Sequence, residues 1–221
     1  MSEQTGRYIV IEGHDGTGKS TQVDILRERL ATYSIDSVEF SEPALDPKDG
    51  NEDILIADAL RTIIKNGTLE RNPLTDLFLF SAARHEKWHR KAIPALALGK
   101  WVIASRNYYS TEAYQGYGKG LDLNLIHAQT LLATDERYMQ PDIAVILNLE
   151  NETERQRRID SRGELETPDA FESLGNDFQS RVQQAYPHIA ERYAVPIISA
   201  VGTPATVSKK IWAVIKPHIQ N

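Results

Sequence analysis

One run of eight residues limits this chain to very few folds. Gly13-His14-Asp15-Gly16-Thr17-Gly18-Lys19-Ser20 fits the pattern G-x-x-x-x-G-K-[ST]. Tyr8-Ile9-Val10-Ile11 precedes it and reads as a buried strand. Val23, Ile25, Leu26 and Leu30 follow it near helical spacing. A strand, a glycine-rich turn and a helix in that order let the backbone wrap an anion, with the N–H groups of the turn and of the helix start pointing at it. The stretch from Gly13 to Ser20, extended by Thr21, is therefore expected to bind a nucleoside triphosphate. Lys19 is expected to reach the β- and γ-phosphates, and the Ser20 hydroxyl to hold Mg²⁺.

The rest of the pattern suits that unit. Residues 37–40, 101–104, 143–149 and 196–199 form further apolar runs. Two of them, Trp101-Val102-Ile103-Ala104 and Ile143-Ala144-Val145-Ile146-Leu147, lack polar alternation, as strands covered on both faces do. Helical patterns fill 19–34, 54–66, 73–98, 123–133, 152–160, 177–192 and 206–219. Alternating strands and helices predict an α/β fold, a doubly wound parallel sheet of five strands flanked by helices. Ligands then lie beyond the carboxyl ends of the strands, where both the glycine-rich loop and Arg106 fall.

At 221 residues the chain suits one domain, and neither the loop at 42–53 nor the irregular stretch at 163–175 divides it. The net charge of −6 argues against broad nucleic-acid binding. Without cysteine there is no disulfide or thiolate chemistry. No apolar run approaches the roughly 20 residues of a membrane span. Residues 1–6 lack the layout of a secretory signal, so the expectation is a cytoplasmic protein without a membrane partner.

Phosphoryl transfer needs positive groups around both phosphate chains, and arginines recur at suitable places. Arg61 lies among Leu60, Ile63 and Ile64 on a helical pattern. Phe80 and Arg84 are four residues apart, so a ring and a guanidinium share one helix face, able to stack on a planar base and donate to its oxygen. The same spacing also suits a core phenylalanine beside a surface arginine. Arg106 opens a loop at a strand end, followed by Ser110, Thr111, Tyr114 and Gln115, which can satisfy a base edge and wall off a sugar. Arg155, Arg158 and Arg162 recur on one helix face. That is the pattern of a solvated basic face, or of a lid over the triphosphate, spanning about residues 155–175.

Together these residues resemble the thymidylate kinase family of nucleoside monophosphate kinases, almost from end to end. The landmarks are the glycine-rich loop, Glu42-Pro43, Leu79-Phe80-Ser81-Ala82-Ala83-Arg84, Ser105-Arg106 with Ala113-Tyr114-Gln115-Gly116, and Arg162-Gly163-Glu164-Leu165. The resemblance implies that ATP phosphorylates dTMP to dTDP with Mg²⁺, in a homodimer formed through packed helices. It places thymine on Phe80 and Arg84, with Ser110, Thr111 and Gln115 around the base and Tyr114 against the sugar C2′. It gives the acceptor phosphate to Arg61 and Arg106, puts Glu42 and Pro43 beside the acceptor, and sets Asp15 facing its sugar and phosphate. Gly16 stands where one subgroup has an arginine, so Arg162 of the lid is implied to act instead, giving Lys19, Asp15, Arg106 and Arg162 as the catalytic set.

The chain also departs from the family pattern. Ser41 replaces the arginine usual before Glu-Pro, Ser105 the aspartate before Arg106, and Asn107 a tyrosine or histidine after it. Asn148 replaces a strand-end aspartate, Ala44-Leu45 a pair of glycines, and Glu166-Thr167 the lid's Asp-Arg. Lys48 is a candidate substitute for the charge missing at Ser41. These changes leave two alternatives open: a kinase for another nucleoside monophosphate, or a nucleotide-binding module with weakened catalysis.

Overall fold

The computed structural model describes residues 6–43, 55–161 and 169–219. Five parallel strands form one sheet: β1 (Tyr8–Gly13), β2 (Ser37–Ser41), β3 (Trp101–Ser105), β4 (Ile143–Asn148) and β5 (Ile197–Ser199), in the order β2-β3-β1-β4-β5. Central β1 pairs with β3 and β4, so Ile9 lies beside Ile103 and Ile143, and Val10 beside Ala104 and Ala144.

The expected covering on both faces is what the side chains show. Successive residues of a strand point to opposite faces. Tyr8 and Val10 accordingly join Val102 and Ala104 in one core, while Ile9 and Ile11 join Ile103 and Val145 in another. The first core is closed by α3 (Pro73–Lys87) and α9 (Asn176–Arg192), through Ala83, Val182 and Ile189. The second is closed by α1 (Lys19–Ala31) and α10 (Pro204–Ile215), through Val23, Leu30 and Ile211. Among the described residues, no helix is long and apolar enough to cross a membrane.

Two expectations need correction. The pattern over 73–98 is not one regular helix: α3 passes through a π-helical stretch, Trp88–Ala92, into α4 (Ile93–Ala97). Pro94 has no N–H to donate, and the wider turn precedes it. The segment after Arg106 is not a loop either. It forms α5 (Tyr108–Thr111) and a π-helical stretch, Glu112–Gly118. Asn107 caps α5 by accepting from the Tyr109 N–H at 2.9 Å. Two β-branched or hydroxyl residues and two glycines in 110–118 give low local helix propensity, and burial overrides it, since Tyr108, Ala113 and Gln115 are all buried.

Candidate active site

The glycine-rich loop closes on one carbonyl. Thr17 Oγ1 and Lys19 Nζ both donate to the His14 oxygen, at 2.8 and 2.9 Å. Gly18, with φ of 90°, takes the left-handed conformation directly before α1, which leaves the first N–H groups of that helix facing the loop. A cavity of about 640 Å³ opens there, lined by Asp15, Gly16, Thr17, Gly18, Lys19, Ser20 and Thr21. Gly13 and His14 shape the loop without lining that cavity. The His14 ring is buried and turned away, with Nε2 2.9 Å from Gln179 Oε1 on α9. Burial lowers its pKa to about 4.

Gly16 has a packing reason of its own. A Cβ at this position would lie 2.8 Å from the Arg155 carbonyl oxygen, and its φ is 83°. Arg155 belongs to α8 (Glu152–Asp160) and is buried, not part of a solvated face. Its guanidinium donates to Glu152 and, at 3.3 Å, to the Asp15 carbonyl. Arg157 and Arg158 of the same helix do line the large cavity. Arg162 and Lys48 lie outside the described residues.

Beyond the end of β3, Arg106 has φ of 76°, a strained conformation for a residue with a Cβ. Its N–H is held by the Ile11 carbonyl at 3.2 Å. Its guanidinium meets Asp15 Oδ1 at 2.5 Å, Ser110 Oγ at 2.8 Å and the Gly13 carbonyl at 3.2 Å. Tyr114 donates to the other Asp15 oxygen at 2.6 Å. Burial pushes the Asp15 carboxyl up, but Arg106, Lys19 and Lys65 together outweigh it and hold it well below the usual carboxylate range.

A second, narrow pocket of about 40 Å³ adjoins the first, and it gathers Glu42, Pro43, Phe80, Arg84, Ser110, Thr111, Tyr114 and Gln115. Arg84 is buried. Its Nε and Nη2 grip Glu42 at 3.0 and 2.9 Å, and Nη2 also donates to Thr111 Oγ1 at 2.8 Å. Tyr138, on α7 (Glu136–Met139), supports the same Glu42 at 2.9 Å. The pair with Glu42 raises the Arg84 pKa in spite of its burial. Three buried donors of this pocket, Arg84 Nη1, Gln115 Nε2 and Asn107 Nδ2, have no hydrogen-bond partner among the described residues. Phe80 is half-buried with its ring 5.6 Å from that of Phe171. Arg61, on α2 (Leu55–Lys65), lines the large cavity instead.

Three contributors escaped the sequence reading. Glu12, fully buried, accepts from the Asn107 N–H at 2.8 Å and from Ser110 Oγ at 2.9 Å, tying β1 to α5. Its signal was a carboxylate ending an apolar strand, a residue tolerated there only with partners. Lys65 stands one helical turn after Arg61 and lines both cavities. Phe171 walls the narrow pocket from far along the chain, with no local signal.

A parallel α/β sheet with a phosphate loop at the end of β1, a second cationic pocket at the end of β3 and a shared wall between them defines a kinase of the nucleoside monophosphate class. Comparison with known proteins narrows this. The family model for thymidylate kinase matches residues 11–211. Thymidylate kinases of Rhodopseudomonas palustris (strain TIE-1) and a Synechococcus species are 34% and 35% identical over 96% of this chain, covering 89% and 96% of their own lengths. The crystal structure of thymidylate kinase from Ehrlichia chaffeensis superposes with a TM-score of 0.71 at 26% identity, covering 95% of this chain and 98% of its own. The chain belongs to the thymidylate kinase family.

Proposed function

We propose that the protein transfers the γ-phosphoryl group of ATP to dTMP, giving dTDP and ADP. The observation that carries this reading is the set of orphaned donors in the narrow pocket. Arg84 Nη1, Gln115 Nε2 and Asn107 Nδ2 are buried N–H groups without acceptors among the described residues, and a buried unpaired donor costs about 1–3 kcal/mol. A base edge carrying carbonyl oxygens, as thymine does, would satisfy them. Phe80 offers that base a ring face, and Tyr114, fixed by Asp15, limits the space beside the sugar.

With the base held there, the acceptor phosphate lies toward the shared wall, near Arg106 and Arg61. An acceptor phosphate oxygen attacks the γ-phosphorus, the bond to the β,γ-bridging oxygen breaks, and ADP leaves. Lys19 stabilises the charge that moves to that oxygen. Ser20 opens on the large cavity beside Lys19. That suits Mg²⁺, which takes few protein ligands and keeps water and phosphate oxygens around it; when bound, it would neutralise phosphate charge. Arg162 carries its role from the family pattern, as part of a lid over about 155–175 in a single kinase domain. Pairing with a second copy belongs to the same reading. It is supported by exposed apolar side chains on adjoining helices: Phe78 on α3, and Leu132 on α6 (Leu123–Ala133).

The test offers ATP, Mg²⁺ and a panel of nucleoside monophosphates and measures the diphosphate formed. Turnover confined to dTMP is the expected result. Faster turnover of another monophosphate, or ATP binding without any turnover, overturns it.

A further inference from the structure

The two cavities meet at a shared wall made by Asp15, Glu42, Pro43, Lys65 and Arg106. A monophosphate with its base in the narrow pocket must bring its phosphate to that wall, because the triphosphate approaches from the other side. Arg106 is one cation there, and Asp15 already engages it at 2.5 Å. Lys65 is the other. It ends α2, one turn beyond Arg61, and its Nζ lies 2.5 Å from Asp169 Oδ2.

That ion pair is not the only tie between its two segments. The backbone already joins the two segments, through the Ala170 N–H on the Lys65 carbonyl at 2.9 Å and an antiparallel bridge between Asn66 and Asp169. Asp169 has its own employment: Oδ1 accepts from the N–H groups of Phe171 and Glu172, at 2.8 and 3.1 Å. An ammonium has three donors, and the Lys65 side chain is 33% exposed, against 6% for Asp169. The lysine is the member of the pair that can turn toward a newcomer. Its field already reaches Asp15 across the wall. Ser41, elsewhere in the large cavity, brings no charge and donates instead to Glu39 at 2.6 Å.

We infer that Lys65 binds the phosphate of the acceptor monophosphate, and that Asp169 holds its ammonium at the junction until the substrate arrives. This rests on the acceptor occupying the narrow pocket, as proposed above. The prediction is specific to phosphate. In Lys65→Met, calorimetric titration should show dTMP binding weakened about 10- to 100-fold, the range of a lost charge-assisted hydrogen bond. Thymidine, which has the same base and sugar without the phosphate, should bind within twofold of wild type. Lys65→Arg should restore most of the dTMP affinity. Equal losses for dTMP and thymidine would mean a purely structural lysine and overturn the inference, as would an unchanged dTMP affinity. If the wild type turns over a different monophosphate, the dTMP reading falls by itself. Lys65 is then judged with that monophosphate and its nucleoside.

Discussion

The glycine-rich loop and the narrow pocket are built in opposite ways. The loop is one continuous stretch, Asp15 to Thr21, and although side chains such as Arg61, Arg157 and Arg158 also line the large cavity, the loop's own geometry comes from backbone turns and one shared carbonyl at His14. The narrow pocket is made by side chains from six separated parts of the chain: Asp15, Glu42, Lys65, Phe80 with Arg84, the helix after Arg106, and Phe171. A phosphate chain is much the same in every nucleotide, so a backbone cradle suffices for it. A base must be told from other bases, and that takes donors and ring faces placed individually.

The same difference decides what could be read from the sequence. The phosphate loop, its strand and its helix were all legible because the motif and its flanks are contiguous. The parallel sheet was legible because Trp101–Ala104 and Ile143–Leu147 are apolar at every position, and each now proves to feed both cores. Arg84 stood four residues from Phe80 in a pattern equally suited to a core helix, and only the resemblance favoured a site. Lys65 and Phe171 could not be paired with it at all, because a fold, and not a spacing, brings 65 and 171 to one wall. The solvated-face reading of Arg155 failed for a related reason. A helical wheel shows which residues share a face but not what covers it, and here the loop at Gly16 does.

The largest expected effect lies on the backbone-built side. Lys19→Ala should lower kcat by roughly 10³-fold, the scale of removing a group aimed at transition-state charge. The Michaelis constant for dTMP should move no more than threefold. Thr17 keeps its bond to the His14 carbonyl, so the loop keeps its shape. A loss shared equally with the dTMP constant would break the separation of the two sides.

The next effect tests whether the continuous loop is as self-sufficient as it looks. His14 is buried and neutral, with its pKa lowered by burial to about 4 from an ordinary 6.5. Between those values the unfolded chain binds a proton that the folded one refuses. Stability is therefore full above pH 6.5 and falls as the pH drops toward 4, by ~3 kcal/mol from this group alone. Urea unfolding across pH 7 to 4 should show a shallower decline in His14→Gln than in wild type. Parallel curves would mean that His14 does not carry this part of the acid sensitivity.

The smallest of the three is the sharpest for the side built from side chains. Arg84→Lys keeps a positive charge for Glu42 but gives up bonds in a buried site, so thermal stability should fall by about 1–3 kcal/mol while the fold is retained. A lysine is a point charge, however, and cannot reach Glu42, Thr111 and the pocket at once as the guanidinium does. The Michaelis constant for dTMP should rise up to about 10²-fold, the size of one charge-assisted hydrogen bond, with kcat within a few-fold of wild type. With Arg84 against the base, as proposed, thymidine should weaken by the same factor as dTMP, whereas removal of the Lys65 charge should spare thymidine. Opposite patterns in these two variants would place base and phosphate at separate cations of one pocket. Identical patterns would collapse that distinction, and with it the idea that the acceptor site reads its ligand one group at a time.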